Sequence, residues 1–187
     1  MNPVIDNIMK RRSVRFYKDK KIPRDQMEII LQAGNYAPTG AGTQTWRFVV
    51  VEDDDFRKRL AELALPRYKE WIKKAPGKFK AIQDKIDPEV EDPVFYSAPA
   101  IVFVIGSGQT ADLDCPMVCE NMMLAAKSLG IGSCWVYFGQ LVLDEPEVKE
   151  ALDIQENEKV YGPIIMGYPK EDIPESPPKK DPLGKWI

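Results

Sequence analysis

Three short apolar runs constrain the fold of this chain more than anything else in it. Residues 46–51 (WRFVVV), 100–105 (AIVFVI) and 160–166 (VYGPIIM) are rich in β-branched side chains and show little polar alternation. A half-exposed strand alternates apolar and polar residues, so continuous runs of this length read as buried strands. Residues 133–138 (SCWVYF) are expected as a fourth strand. Such strands need cover, and the expected architecture is a small central sheet with helices around it.

The helices can be read from apolar spacing. Val4, Ile5, Ile8 and Met9 form a stripe over residues 3–12. Pro23 opens a second helix carrying Met27, Ile30, Leu31 and Gly34, which stops before Pro38. Asp53, Asp54 and Asp55 open a third with Phe56, Leu60 and Leu63, the acids lying at the favourable end of the dipole. Residues 66–86 read as amphipathic helix interrupted at Ala75-Pro76-Gly77, and 87–93 as an acidic loop. Residues 116–129 are apolar nearly all round, which suits an interior or interface helix. A short helix is expected near 145–152. From Pro169 onward, Pro174, Pro177, Pro178 and Pro182 impose an extended tail ending in Trp186-Ile187, an apolar pair that suggests docking. With 187 residues and no internal repeat, one domain spanning 1–187 is expected.

Composition narrows the chemistry by exclusion. A formal net charge of -3 argues against bulk nucleic-acid binding. No apolar run reaches the roughly 18–20 residues that span a bilayer, and the N-terminus does not read as a signal peptide, so a cytoplasmic location is expected. There is no histidine, which removes Ser-His-Asp and Cys-His catalysis and most catalytic zinc sites. Cys115, Cys119 and Cys134 are expected as buried thiols without a metal. An enzyme built this way would leave the hard chemistry to a cofactor.

Two segments look like a site. Arg11, Arg12, Ser13 and Arg15 end the first helix with three guanidinium groups and a hydroxyl. Cations suit a helix C-terminus, so a solvated end is one reading; bidentate phosphate binding is the other. The loop 38–45 (PTGAGTQT) is either a plain helix-to-strand connection or a close backbone approach to a flat ligand, for which Gly40 and Gly42 leave room. Residues 106–111 (GSGQTA) match a dinucleotide fingerprint. Asp112, Asp114 and Pro116 are expected to interrupt the helix such a fingerprint needs, and no acidic residue lies between Glu120 and Asp144, where the ribose-binding carboxylate belongs. Gly130 is most simply a helix cap. Lys179 and Lys180 serve solubility or reach an anion.

The order of these segments carries a resemblance. RRSVR, then APTGAGTQTWRFVVV, then CENMMLAAKSLGIGSCWV, then GPIIMGYP and a basic proline-rich end is similar to the FMN-dependent nitroreductase family. The resemblance implies an α+β fold with a mixed, largely antiparallel central sheet flanked by helices, and an intertwined homodimer with two FMN sites at its interface. It implies that the tail 169–187 docks on the partner and that helix 116–129 forms the core of the interface. Arg11 and Ser13, with Arg12 in the same motif, would hold the FMN phosphate, and Arg15 would face the pyrimidine edge of the ring as a charge stabiliser. Lys180, with Lys179, would complete the phosphate site. Pro38, Thr39 and Gly40 would approach the flavin of the other subunit. Trp135, Val136 and Tyr137 would lie along the ring, where a backbone N–H meets flavin N5. Gly42 stands where the family usually has Asn, and Thr45 where it has Pro.

The implied activity is hydride transfer from NADH or NADPH through flavin N5 to nitroaromatic, quinone or related electrophilic acceptors, in ping-pong order. A dehalogenase or flavin-consuming enzyme of the same fold, or a non-catalytic flavin-binding protein, are the alternatives.

Overall fold

The computed structural model describes residues 2–77, 90–182 and 184–185. Four strands form one sheet in the order β1-β2-β4-β3: β1 (Trp46–Val51), β2 (Ala100–Ser107), β3 (Gly132–Trp135) and β4 (Glu158–Gly167). Every strand pair is antiparallel. Among the described residues, the parallel contact is an isolated bridge from Ser13, which precedes the strands, to Ser133 of β3.

β2 explains why its sequence does not alternate. Ala100, Val102 and Val104 enter a core with α2 (Arg24–Asn35) and α4 (Ala111–Ser128). Ile101, Phe103 and Ile105 enter a second core with α3 (Asp54–Lys74) and α5 (Pro146–Ala151). All six are fully buried, because helices cover both faces. Gly34 lets α2 approach α4, since a Cβ there would lie 2.5 Å from Met122 Cγ.

Several boundaries differ from expectation. α1 (Pro3–Lys10) ends two residues early, and Arg11 leaves it in extended conformation. α3 passes through Pro66 to Lys74 as one helix, started by the Asp53 carboxylate accepting from Phe56 N–H at 2.8 Å. Residues 78–86 of its expected continuation, and 87–89 of the acidic loop 87–93, lie outside the described residues. α4 starts at Ala111 rather than 116. Asp112 and Asp114 occupy its first turn, where the dipole favours acids, so they do not interrupt it. Topology excludes the dinucleotide fingerprint instead: both neighbours of β2 run antiparallel to it, so the strand belongs to no parallel βαβ unit. β3 stops at Trp135, and residues 137–142 wind into a 3-10 turn (Tyr137–Val142) around Gly139, where a Cβ would meet Pro163 at 2.4 Å.

No helix among the described residues is long and apolar enough to cross a membrane.

Candidate functional site

The segment after α1 is laid along the edge of the sheet. Val14 N–H donates to Ser133 O at 3.0 Å, beside the Ser13–Ser133 bridge. Gly132 makes this approach feasible, because a Cβ there would lie 2.8 Å from Val14 carbons. The Tyr17 hydroxyl donates to Val14 O, which turns the chain back; burial holds that phenol well above its usual pKa. The basic segment is thereby brought beside the strand that runs into Trp135, Val136 and Tyr137.

The basic side chains do different things. Arg11 faces Glu120 at 3.4 Å. Arg12 turns back onto the helix it follows, donating from Nη1 to Met9 O at 2.8 Å and to Arg11 O at 2.5 Å, while its buried Nε has no partner among the described residues. Ser13 is exposed. The Arg15 guanidinium lies 5.7 Å from the Tyr96 ring centroid and has no carboxylate partner among the described residues. At the strand end, Trp135 is half-buried, Val136 is buried and Tyr137 is 66% exposed. Val136 N–H is committed to Pro163 O at 2.9 Å, whereas Tyr137 N–H has no partner among the described residues. Tyr137 packs edge-on against Phe138, which Tyr68 and Trp71 of α3 flank.

A second group sits elsewhere along α4. Pro38 is exposed, and Thr39 and Gly40 are half-buried. Thr39 Oγ1 donates to Asp114 Oδ2 at 3.1 Å and Gly40 N–H to the same oxygen at 3.2 Å. Gln44 and Trp46 both reach Asn35, through its O at 3.3 Å and its Oδ1 at 3.1 Å. Gly42 has φ +69°, and a Cβ there would meet nothing within 4 Å. Glu120, which meets Arg11, lies about 9 Å further along the helix axis than Asp114 at ~1.5 Å per residue. Within one chain the loop and the basic segment therefore occupy different stretches of α4.

Lys179 and Lys180 are exposed, and no hydrogen bond ties them to residues 11–15 among the described residues. Trp186 and Ile187 lie outside the described residues. The three cysteines are buried and form no disulfide. Burial pushes the Cys115 thiol up to about 11 and Cys119 further, so neither is a ready thiolate. No group of three or more His, Cys, Asp and Glu side chains among the described residues could hold a metal. A cavity of about 600 Å³ opens between Tyr17, α3 and Phe95; it is lined by none of the candidate residues.

Asp114 was not legible as a site residue in the sequence. The signal available was an acid in a first helical turn, four residues after a threonine that could share its loop contacts.

A model of the nitroreductase family matches residues 8–168. A protein of Archaeoglobus fulgidus, provisionally named an NADH dehydrogenase/NAD(P)H nitroreductase, is 31% identical over 172 residues, covering 92% of this chain and 88% of its own. The crystal structure of a nitroreductase with bound FMN from Bacteroides fragilis has a TM-score of 0.79 and 34% identity, covering 100% of both chains. An iodotyrosine deiodinase of Thermotoga neapolitana is 24% identical over 179 residues, covering 95% of this chain and 94% of its own.

Proposed function

The chain belongs to the nitroreductase family, and from that premise we propose that it is an FMN-dependent oxidoreductase using NADH or NADPH. Its acceptors are nitroaromatics, quinones or related electrophiles, reduced in ping-pong order in the cytoplasm, where nicotinamide nucleotides are kept. The observation that carries this reading is the basic segment 11–15 lying along the sheet edge, with Arg15 lacking a carboxylate partner among the described residues.

The residues present suit the cofactor. A phosphate monoester asks for charged, bidentate donors and a hydroxyl. Arg11 and Ser13 supply them, and the unpartnered buried Nε of Arg12 leaves one further donor nearby. When bound, FMN supplies the two-electron exchange, taking hydride from the nicotinamide and giving it to the acceptor. Arg15 would stabilise negative charge on the pyrimidine side of the ring, as a preorganised guanidinium does. Tyr137 N–H is the donor available at the strand end, because Val136 N–H is already bonded. Trp135 and Tyr137 bound the ring.

The protein works as an intertwined homodimer. α1 has no buried residue of its own, and Val4, Ile8 and Met9 are 65%, 46% and 58% exposed. Leu113 and Met117 of α4 are also exposed, at 71% and 38%. A second copy is the natural cover for such faces. Pro38, Thr39 and Gly40 then approach the flavin of the partner copy, and Lys179 and Lys180 reach a phosphate through the tail 169–187. The whole chain acts as one domain with that tail.

The test is direct. Purified protein should elute at twice the chain mass by light scattering, be yellow, and bleach on anaerobic addition of NADH or NADPH. Heat should release FMN as the main flavin; FAD as the main species, or colour that nicotinamide never bleaches, would overturn the reading. A reductive dehalogenase is the second reading, favoured by the relative named iodotyrosine deiodinase. Reoxidation by a nitroaromatic, a quinone and iodotyrosine, compared side by side, separates the two.

Glu120 competes with the phosphate for Arg11, at 3.4 Å from its Nε. Half-exposed pairs of this kind are weak, so Glu120→Gln should tighten FMN binding by about two- to fivefold. Fluorescence titration of the apoprotein reads this; weaker binding in the variant would mean that Glu120 orients Arg11 rather than competing for it.

A further inference from the structure

Asp114 is the one carboxylate among the described residues that is almost wholly buried, at 3% exposure. The mechanism above does not use it. It accepts from Thr39 Oγ1 and Gly40 N–H on the 38–45 loop, and from the Thr110 hydroxyl on its own helix. These donors, Thr110 first, hold its carboxyl below the usual carboxylate range. A buried anion with its donors in place is costly to disturb.

The loop it holds is strained. Ala41 has φ 53° and Gln44 φ 45°, left-handed values that non-glycine residues seldom adopt. Such a conformation persists only where its surroundings over-determine it. Gly40 lies so close to Thr110 that a Cβ would meet Thr110 Cγ2 at 2.7 Å. Thr39 is the hub: its hydroxyl gives its one proton to Asp114 and accepts from Gln44 N–H at 3.1 Å. With that proton committed, the hydroxyl has none left to donate to a ligand. Among the described residues, the donors the loop leaves without a partner include the backbone N–H groups of Thr39 and Ala41 and the buried Thr45 hydroxyl.

We propose that Asp114 is a positioning residue that locks the 38–45 loop so that its backbone N–H groups, and not the Thr39 hydroxyl, meet the cofactor. The assignment rests on the flavin reading above. The loop is held by an anchor that never touches the ligand, and removing the anchor loosens the loop before it alters the fold.

The test uses Asp114→Ala, Thr39→Val, their double variant and a control, Val118→Ala, which destabilises the same helix away from the loop. Hydrogen exchange on the apoprotein should show amides 39–45 exchanging at least tenfold faster in Asp114→Ala, with β2 and β4 unchanged. On the flavin-loaded protein, the FMN Kd should rise about tenfold, and the visible circular dichroism of the bound flavin should change. Val118→Ala should do neither. Thr39→Val added to Asp114→Ala should weaken binding no further, since both remove one network. Should the alanine variant fail to fold, Asp114→Asn keeps the volume and carries the same measurements. Unchanged loop exchange in Asp114→Ala or Asp114→Asn, or additive losses in the double variant, would overturn the assignment. Absence of flavin binding in the parent protein would instead sink the flavin reading, and apoprotein exchange would still decide whether Asp114 holds the loop.

Discussion

Arg11→Ala is expected to weaken FMN binding ten- to a hundredfold while turnover per bound flavin stays close to that of the parent protein. A charge-assisted hydrogen bond contributes roughly 1.5–3 kcal/mol, and each 1.4 kcal/mol is about tenfold in affinity. The existing Arg11–Glu120 pair offsets only a small part, because its partners are 27% and 46% exposed and such pairs contribute about 1 kcal/mol at most. Removing Arg11 also leaves Glu120 uncompensated near a dianion. The ribityl chain separates the phosphate from the redox end of the ring, so the chemical step should be little altered. Titration of apoprotein with FMN gives the affinity, and rates normalised to flavin content give the turnover. An unchanged Kd would make residues 11–15 a solvated helix end; lost turnover at full occupancy would put Arg11 at the ring.

Phe103→Ala should cost about 3–5 kcal/mol of folding stability. Phe103 lies in the central strand β2 and is fully buried. It belongs to the core that includes Leu60, Tyr68, Phe95 and Ile165, between the sheet and α3. Domains typically hold roughly 5–15 kcal/mol in reserve, so this one side chain represents a large share. Urea unfolding at fixed protein concentration measures the loss, since dimerisation would otherwise shift the midpoint. A loss below about 1 kcal/mol would mean that this face of β2 is loosely packed.

Much of the local structure was legible, and for identifiable reasons. β1 occupies the same residues, 46–51, as the run WRFVVV, because a β-branched apolar stretch bounded by Thr45 and Glu52 has no competing helical period. The errors fell where local cues allow two outcomes. Asp112 and Asp114 looked like helix breakers, yet in a first turn the same acids favour the helix. The spacing reads 66–86 as separate from the helix opened by Asp53–Asp55, yet packing of Leu60, Ala64 and Tyr68 against the sheet carries α3 through Pro66 as one helix. SCWVYF reads as one strand, but Gly139 closes against Pro163, a partner distant in sequence, and the strand turns.

The candidate site divides in the same way. Residue types and their order determined by themselves the strands, most of the helices and the resemblance to nitroreductases, because periodicity and donor chemistry act over a few neighbouring residues. Only the tertiary structure decided that Val14 bonds Ser133, so that a helix end and a strand start form one edge. It also decided that Val136 N–H is already committed, and that Asp114 is the buried anchor of a loop distant in sequence. These are contacts between segments far apart along the chain. Their formation depends on which faces the packed layers bring together, and no spacing within a single segment encodes it.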